Sequence, residues 1–319
     1  MHDVIIVGGG VAAFSAALFV SRRGHKTLVI GKDIGGQANY TDVIENYPGL
    51  PESGGYQLVS VIRQQAESFG AEYLSAEASK IKAADGGFVV TAYHKQYKSQ
   101  ALILAFGKTP RDLAVPGEEE FKGRGISYCA TCDAPLFKRK IVTVAGIGDI
   151  SLEAALLAAK YANKVYLLAK SDKLIGHPAL LKAVRSNRKI ELMPFVQILA
   201  AAGQQTLERL RLKDLKSGQE FELPTDGLFV ELGYVVQSHF LTDLVELNQE
   251  GAIVVQSDQS TSVPGIYACG DVTDRPFKQA VISAGEAAAA GLAVSDYLLK
   301  QQGGSGANHD WTELKKVKS

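Results

Sequence analysis

The strongest constraint on this chain is a pattern written twice: an apolar strand, a glycine turn, an alanine-rich helix and a second apolar strand. The first copy runs Val4-Ile5-Ile6-Val7, then Gly8-Gly9-Gly10-Val11-Ala12-Ala13, a helical stretch to about Arg23, and Lys26-Thr27-Leu28-Val29-Ile30. It carries the dinucleotide fingerprint Gly8-x-Gly10-x-x-Ala13. The glycines let backbone approach a pyrophosphate, Ala13 lets helix and strand pack closely, and the helix N-terminus faces the phosphates. A lone fingerprint is a weak signal, but here it follows a strand and opens a helix, the context it requires. The strand after it ends in Ile30-Gly31 without an acid for the ribose, which leaves that role to Lys32, Asp33 or backbone groups. The second copy runs Lys140-Ile141-Val142-Thr143-Val144-Ala145, then Gly146-Ile147-Gly148-Asp149-Ile150-Ser151, a helix to about Ala162, and a strand over 164–169. Two duplicated nucleotide-type units, one interrupting the other, predict an α/β protein with two Rossmann-like domains. Further helices are expected near 55–70 and 279–299, strands near 88–91 and 101–105, and hairpin-like segments over 207–230.

Cys129-Ala130-Thr131-Cys132-Asp133 stands directly before the second copy. Two cysteines at this spacing close a disulfide, form half a zinc site, or lie buried. Zinc needs about four ligands. The chain has 3 cysteines and 6 histidines, with Cys269 distant and the histidines scattered, so no metal site is expected. A chain of 319 residues builds its core without a structural disulfide, which favours a redox pair. Asp133 reads either as the carboxyl that moves a proton for dithiol chemistry or as a helix cap.

Lys plus Arg and Asp plus Glu both total 34, so no net field attracts nucleic acid or anionic lipid. The N-terminus lacks the basic lead and cleavage site of a secretory segment and runs straight into a strand and glycine turn. With no unbroken apolar run of about 18 residues either, no membrane span is expected and the cytoplasm is the expected location.

Taken in chain order, five segments resemble the low-molecular-weight thioredoxin reductases over nearly the whole chain. They are Gly35-Gly36-Gln37, Glu45-Asn46-Tyr47-Pro48-Gly49, Ser127-Tyr128-Cys129-Ala130-Thr131-Cys132-Asp133, Gly227-Leu228-Phe229-Val230-Glu231-Leu232-Gly233, and residues 261–271 ending in Cys269-Gly270-Asp271. Lys278-Gln279-Ala280 resembles the segment with which this family covers a flavin at a helix N-terminus. The resemblance implies a homodimeric flavoenzyme with two FAD/NAD(P)-binding domains. Residues 1–113 and 247–302 would form the FAD domain, 114–246 the inserted disulfide domain of NADPH-binding type, and 303–319 a flexible tail. It implies by position that Gly8, Gly10, Val11, Ala12, Ala13, Gly36, Gln37, Asn46, Gly107, Gly270, Asp271, Lys278, Gln279 and Ala280 contact or frame FAD. The lesser reading of Gly36 is a turn glycine and of Asn46 a turn cap, while Cys269 reads as a packed thiol in the strand core.

The inserted domain departs from the family twice. Family members carry three consecutive glycines, then Asn or Asp, a hydroxyl residue and Ala; here Ile147 and Ile150 put apolar bulk where a phosphate passes. Beyond the following strand the family places His-Arg-Arg-Asp, and another Arg three residues on, to clamp the ribose 2′-phosphate of NADPH. This chain has Ala169-Lys170-Ser171-Asp172 and Ile175. One lysine does not reproduce the planar, multidentate grip of two arginines. No acid ends the strand to take a free NADH ribose. The sequence therefore resembles the pyridine-nucleotide-independent branch, which includes ferredoxin-linked reductases and the deeply rooted and diflavin-linked forms of cyanobacterial type.

The expected activity is an FAD-dependent disulfide oxidoreductase that passes electrons through Cys129 and Cys132, with Asp133, to thioredoxin or a similar small disulfide protein. Ferredoxin or another donor would supply the electrons, Cys132 would face the flavin, and linkers near Val115-Pro116-Gly117 and Gly233 would act as hinges. The rival readings are a flavin-dependent dithiol oxidase that uses oxygen and a nonenzymatic flavin redox sensor. The tail containing Trp311, the only tryptophan, reads as a disordered terminus or as an aromatic lid on a flavin.

Overall fold

The computed structural model describes residues 1–40, 44–51, 53–241 and 244–304; the Trp311 expectation lies outside them. β1 (His2–Val7) is followed by α1 (Val11–Arg22), β2 (Thr27–Gly31), α2 (Gly55–Ser68) and β3 (Glu72–Ser75). A meander of β4 (Ala78–Ala84), β5 (Gly87–Ala92) and β6 (Lys95–Leu104) completes the first stretch. The sheet order is β3-β2-β1-β6-β5-β4, parallel from β3 to β6 and antiparallel through the meander. β1 reads as an unbroken apolar run because both its faces are covered: Val4 and Ile6 enter one core, Ile5 and Val7 the other.

The inserted unit starts with β7 (Thr109–Pro110), α3 (Glu118–Phe121), β8 (Ile126–Ser127) and the one-turn helix α4 (Ala130–Asp133). The second nucleotide-type unit follows as β9 (Ile141–Ala145), α5 (Asp149–Tyr161), β10 (Lys164–Ala169), α6 (Pro178–Ser186) and β11 (Ile190–Pro194). An antiparallel sheet of β12 (Val196–Gly203), β13 (Leu207–Asp214) and β14 (Glu220–Pro224) precedes β15 (Gly227–Val230) and β16 (Tyr234–Val235). The parallel sheet has the order β11-β10-β9-β15-β8. Val142 and Val144 of β9 pack into one core, and Ala145 into the other.

The chain then returns to the first sheet through β17 (Ile266–Ala268), parallel to the C-terminal half of β6, and ends its described part in α7 (Ala280–Gln301). Ala287, Ala290 and Val294 of α7 share a core with Ala13, Ala16 and Val20 of α1. Small residues on both helices permit this close packing. Among the described residues, no helix is long and apolar enough to cross a membrane.

The chain divides into two compact units, one made of Met1–Lys108 with the segment from Val236 onward, the other Thr109–Val235. These boundaries precede the expected ones at 113/114 and 246/247. Two long-range contacts cause the difference. β7 and β16 pair with each other, Tyr234 opposite Pro110, which places both inside the inserted unit. Leu241 and Val245 are buried with Ile253 and Ile266 in the core of the outer unit. The expected hinge at Pro116-Gly117 is also internal to the inserted unit, where Ala201 N donates to Pro116 O at 2.9 Å.

Candidate functional site

The first glycine turn lies at the carboxyl end of β1, beside the ends of β6 and β17. Gly8 has φ +139°, and a Cβ there would come 2.2 Å from Ala105 O, so only glycine fits. α1 has no side-chain cap and no acid in its first turn. The amides of Val11, Ala12 and Ala13 therefore have no intrahelical acceptor, the arrangement that a pyrophosphate satisfies. Gly35 N donates to Gly9 O at 2.8 Å, which brings the Gly36-Gln37 segment against the turn.

Gln37 Nε2 donates to Lys108 O at 3.1 Å and to Asp271 Oδ2 at 3.4 Å, and a Cβ on Gly270 would come 2.8 Å from Ala12 Cβ. Asn46 Nδ2 donates to Gln279 Oε1 at 2.9 Å, next to the first residue of α7. Lys278 Nζ donates to Thr273 O at 2.9 Å, and burial holds its ammonium below the usual lysine range. The structure thus gathers Gly8 to Ala13, Gly36, Gln37, Gly107, Gly270 and Asp271 around one turn, with Asn46, Gln279 and Ala280 at the α7 end. An open glycine turn, uncapped amides and a carboxylate beyond them fit an extended dinucleotide such as FAD. Lys32 instead pairs with Glu77 at 3.7 Å in solvent, and Asp33 presents its backbone carbonyl to Gly9. Cys269 is fully buried in the strand core, and burial pushes its thiol up.

In the inserted unit, Cys129 and Cys132 form a disulfide with Cα atoms 5.3 Å apart. β8 delivers the chain to Cys129, whose N–H donates to Ser127 Oγ at 3.0 Å. Cys129 then caps α4, its Sγ accepting from Cys132 N at 3.1 Å. Cys129 is 9% exposed, whereas Cys132 lies on the exposed side of the turn. A helix N-terminus of this kind lowers the cost of a thiolate. Asp133 follows immediately and makes no side-chain cap bond to the 3-10 turn after it.

Two acids that the sequence reading did not single out support this motif. Glu118, 5% exposed, accepts from Leu113 N and Ala114 N, both at 2.7 Å, and from the Tyr128 hydroxyl beside Cys129. Glu231 directly follows β15, and burial pushes its carboxyl up to about 7. A third, Glu286, accepts from Gly270 N at 2.8 Å in the outer unit. Glu231 and Glu286 had a faint signal, an acid inside an apolar or alanine-rich run, whereas Glu118 stands in a run of three glutamates. Only tertiary contacts reveal its partner.

The second glycine turn differs from the first. Asp149 stands in the first turn of α5, and its Oδ1 accepts from His177 N at 2.7 Å. Ile175 N donates to Ile147 O at 2.8 Å, so the segment after β10 folds onto the turn. Lys170 and Ile175, at two of the clamp positions, are exposed.

A family model for pyridine nucleotide-disulphide oxidoreductases matches residues 2–290. The chain is 36% identical to a thioredoxin reductase of Aquifex aeolicus (strain VF5), covering 93% of this chain and 94% of that one. Thioredoxin reductase from Lactococcus lactis is similar in structure with a TM-score of 0.84 at 29% identity, covering 94% of this chain and all of that one. A ferredoxin-flavin thioredoxin reductase from Clostridium acetobutylicum is similar at TM-score 0.53 and 26% identity, covering 94% and 98%. The glycine turns, the disulfide and these likenesses agree, and the chain belongs to the pyridine nucleotide-disulphide oxidoreductases, as an FAD-binding disulfide oxidoreductase of thioredoxin reductase type.

Proposed function

We propose that this chain reduces thioredoxin or a similar small protein disulfide through Cys129 and Cys132, that a ferredoxin-like protein supplies the electrons, and that NADPH does not. The observation that carries the donor assignment is the covering of the second glycine turn by the chain's own loop. The Ile175 amide takes the Ile147 carbonyl, and Asp149 brings a carboxylate to the α5 N-terminus. An incoming phosphate there meets a negative charge and isoleucine side chains, with no arginine at 170, 171 or 175 to hold it. Losing two charge-assisted contacts, about 1.5–3 kcal/mol each, weakens NADPH by roughly two to four powers of ten. The likeness to the ferredoxin-flavin enzyme supports the alternative donor.

Bound FAD supplies the two-electron redox chemistry. The chain's residues do the rest. The amides of Val11 to Ala13 would hold its pyrophosphate, and Gln37 and Asp271, already bonded to each other, would orient the remainder. Reduction breaks the Cys129–Cys132 bond and consumes two electrons and two protons, with Asp133 moving a proton at the sulfurs. A thiolate of the pair then attacks the partner disulfide, the Cys129–Cys132 bond reforms, and the partner leaves as a dithiol. Such turnover suits a reducing, cytoplasmic setting and a homodimer, the latter testable by sedimentation.

The test is anaerobic turnover with reduced ferredoxin, followed by thiol formation on thioredoxin. Steady thiol production supports the proposal. Oxygen uptake driven by a small dithiol, without ferredoxin-dependent thiol production, assigns the oxidase reading instead. Flavin reduction without turnover of any disulfide assigns the sensor.

A further inference from the structure

We propose that Glu286 is a positioning residue of the FAD cradle: its carboxylate holds the Gly270 amide, and with it the turn that carries Asp271, and its charge makes the bound flavin harder to reduce. The inference rests on the cradle around the first glycine turn and not on which donor supplies the electrons.

α7 is built from small residues where it meets α1, and between Ala280 and Ser295 its only charged side chain is Glu286. An acid in such a run loses water, and here it recovers a partner from the backbone: Gly270 N donates to Glu286 Oε2 at 2.8 Å. The gripped turn is confined on its other sides as well. Gly270 has φ +77°, and a Cβ there would come 2.8 Å from Ala12 Cβ at the start of α1. Its carbonyl accepts from Thr273 N at 3.1 Å and from Thr273 Oγ1 at 2.9 Å. The carboxylate of Asp271 accepts from Gln37 Nε2 at 3.4 Å and from Ser283 Oγ at 3.5 Å. Ser283 and Glu286 stand three residues apart on one face of α7, the first on the Asp271 carboxylate and the second on the amide just before it. Releasing that amide frees the peptide between Cys269 and Gly270 to rotate, and Asp271 turns with it.

The second effect is electrostatic. Around this end of the cradle Asp271, Asp274 and Glu286 oppose Lys108, Arg275 and Lys278. Burial pushes the Glu286 carboxyl up, while the Gly270 N–H, Lys278 and Arg275 favour its charged form. Its field already reaches the buried Cys269 thiol, which burial and the Glu286 charge push up. A flavin that takes two electrons and one proton gains one negative charge. An anion in the cradle therefore opposes reduction, and a neutral glutamine amide does not.

The test uses the full-length, FAD-loaded protein with two variants. Glu286→Gln keeps an acceptor oxygen for Gly270 and loses the charge; Glu286→Asp keeps the charge and draws it back from Gly270. FAD release on dilution is followed by flavin fluorescence, and the flavin potential by dithionite titration against a reference dye at pH 8. Glu286→Asp should hold FAD about tenfold more weakly, the loss of one charge-assisted bond, with its potential unmoved. Glu286→Gln should hold FAD within about threefold of wild type, while its reduction equilibrium shifts about tenfold toward reduced flavin, about 30 mV for a two-electron couple. A merely structural role would not separate affinity from potential in this way. Variants that match wild type in both measurements, or that change both in step, overturn the proposal. If the Asp variant does not fold, the Gln potential alone decides, and an unshifted value overturns the proposal. A wild-type protein that retains no flavin overturns the cradle reading and this proposal with it.

Discussion

Replacing Glu118 tests how the inserted unit holds its redox motif. The carboxylate is buried and joins Leu113 N and Ala114 N to the Tyr128 hydroxyl, across a turn in which Ala114 adopts φ +57°. Charge-assisted bonds of this kind contribute about 1.5–3 kcal/mol each. Glu118→Gln keeps one acceptor oxygen but turns an NH2 toward the second amide, donor against donor, so it should cost roughly 2–4 kcal/mol. Glu118→Ala strands both amides and should cost roughly 3–6 kcal/mol. In a unit of this size each kcal/mol lowers the midpoint by about 4 °C, so the Gln variant should melt about 8–16 °C earlier by calorimetry. Tyr128→Phe alone should cost about 1 kcal/mol, and the double variant should show a coupling of similar size. A Gln variant within about 0.5 kcal/mol of wild type would refute the reasoning.

Cys129→Ser and Cys132→Ser should each abolish reduction of thioredoxin while leaving the flavin spectrum intact; turnover surviving either change removes the pair from the mechanism. Asp133→Asn should slow turnover by roughly 10–10³-fold without loss of FAD, the range of lost acid–base help. An unchanged rate would make Asp133 a structural residue. Glu231 titrates near 7 in the fold against 4.5 ordinarily, so its stabilising effect is present below 4.5 and lost as pH rises through 7. Glu231→Gln should therefore gain stability relative to wild type between pH 5 and pH 8, by at most about 3 kcal/mol in urea unfolding. A difference that does not change with pH contradicts this.

Much of the architecture is written locally. Val4 to Val7 is apolar on both faces and Ile141 to Ala145 is so except at Thr143, each runs into a glycine turn and an alanine-rich helix, and that order alone specifies two parallel nucleotide-type sheets. The cysteine pair was legible from its spacing, whereas Gln37, Gly270 and Asp271 were set beside the first glycine turn only by the family resemblance. What the sequence concealed depends on residues far apart. The pairing of Thr109–Pro110 with Tyr234–Val235 moves the unit boundary away from the Pro- and Gly-rich stretch that imitates a linker. Pro116 looks like a hinge until Ala201 is seen to hold it. Glu118 and Glu286 are unremarkable letters whose meaning lies in amides that lie from 4 to 16 residues away. The loop after β10 signalled its lost arginines, but not that Ile175 and His177 would close on the turn.

The central claim is that electrons reach Cys129 and Cys132 through FAD from a protein donor and not from NADPH. The most direct measurement is anaerobic titration of the flavin absorbance, with thiols counted by alkylation at each step. Reduced ferredoxin should bleach the flavin and then open the disulfide, exposing Cys129 and Cys132, while NADPH at micromolar concentration leaves both unchanged. Rapid bleaching by micromolar NADPH, followed by the same two thiols, would contradict the account.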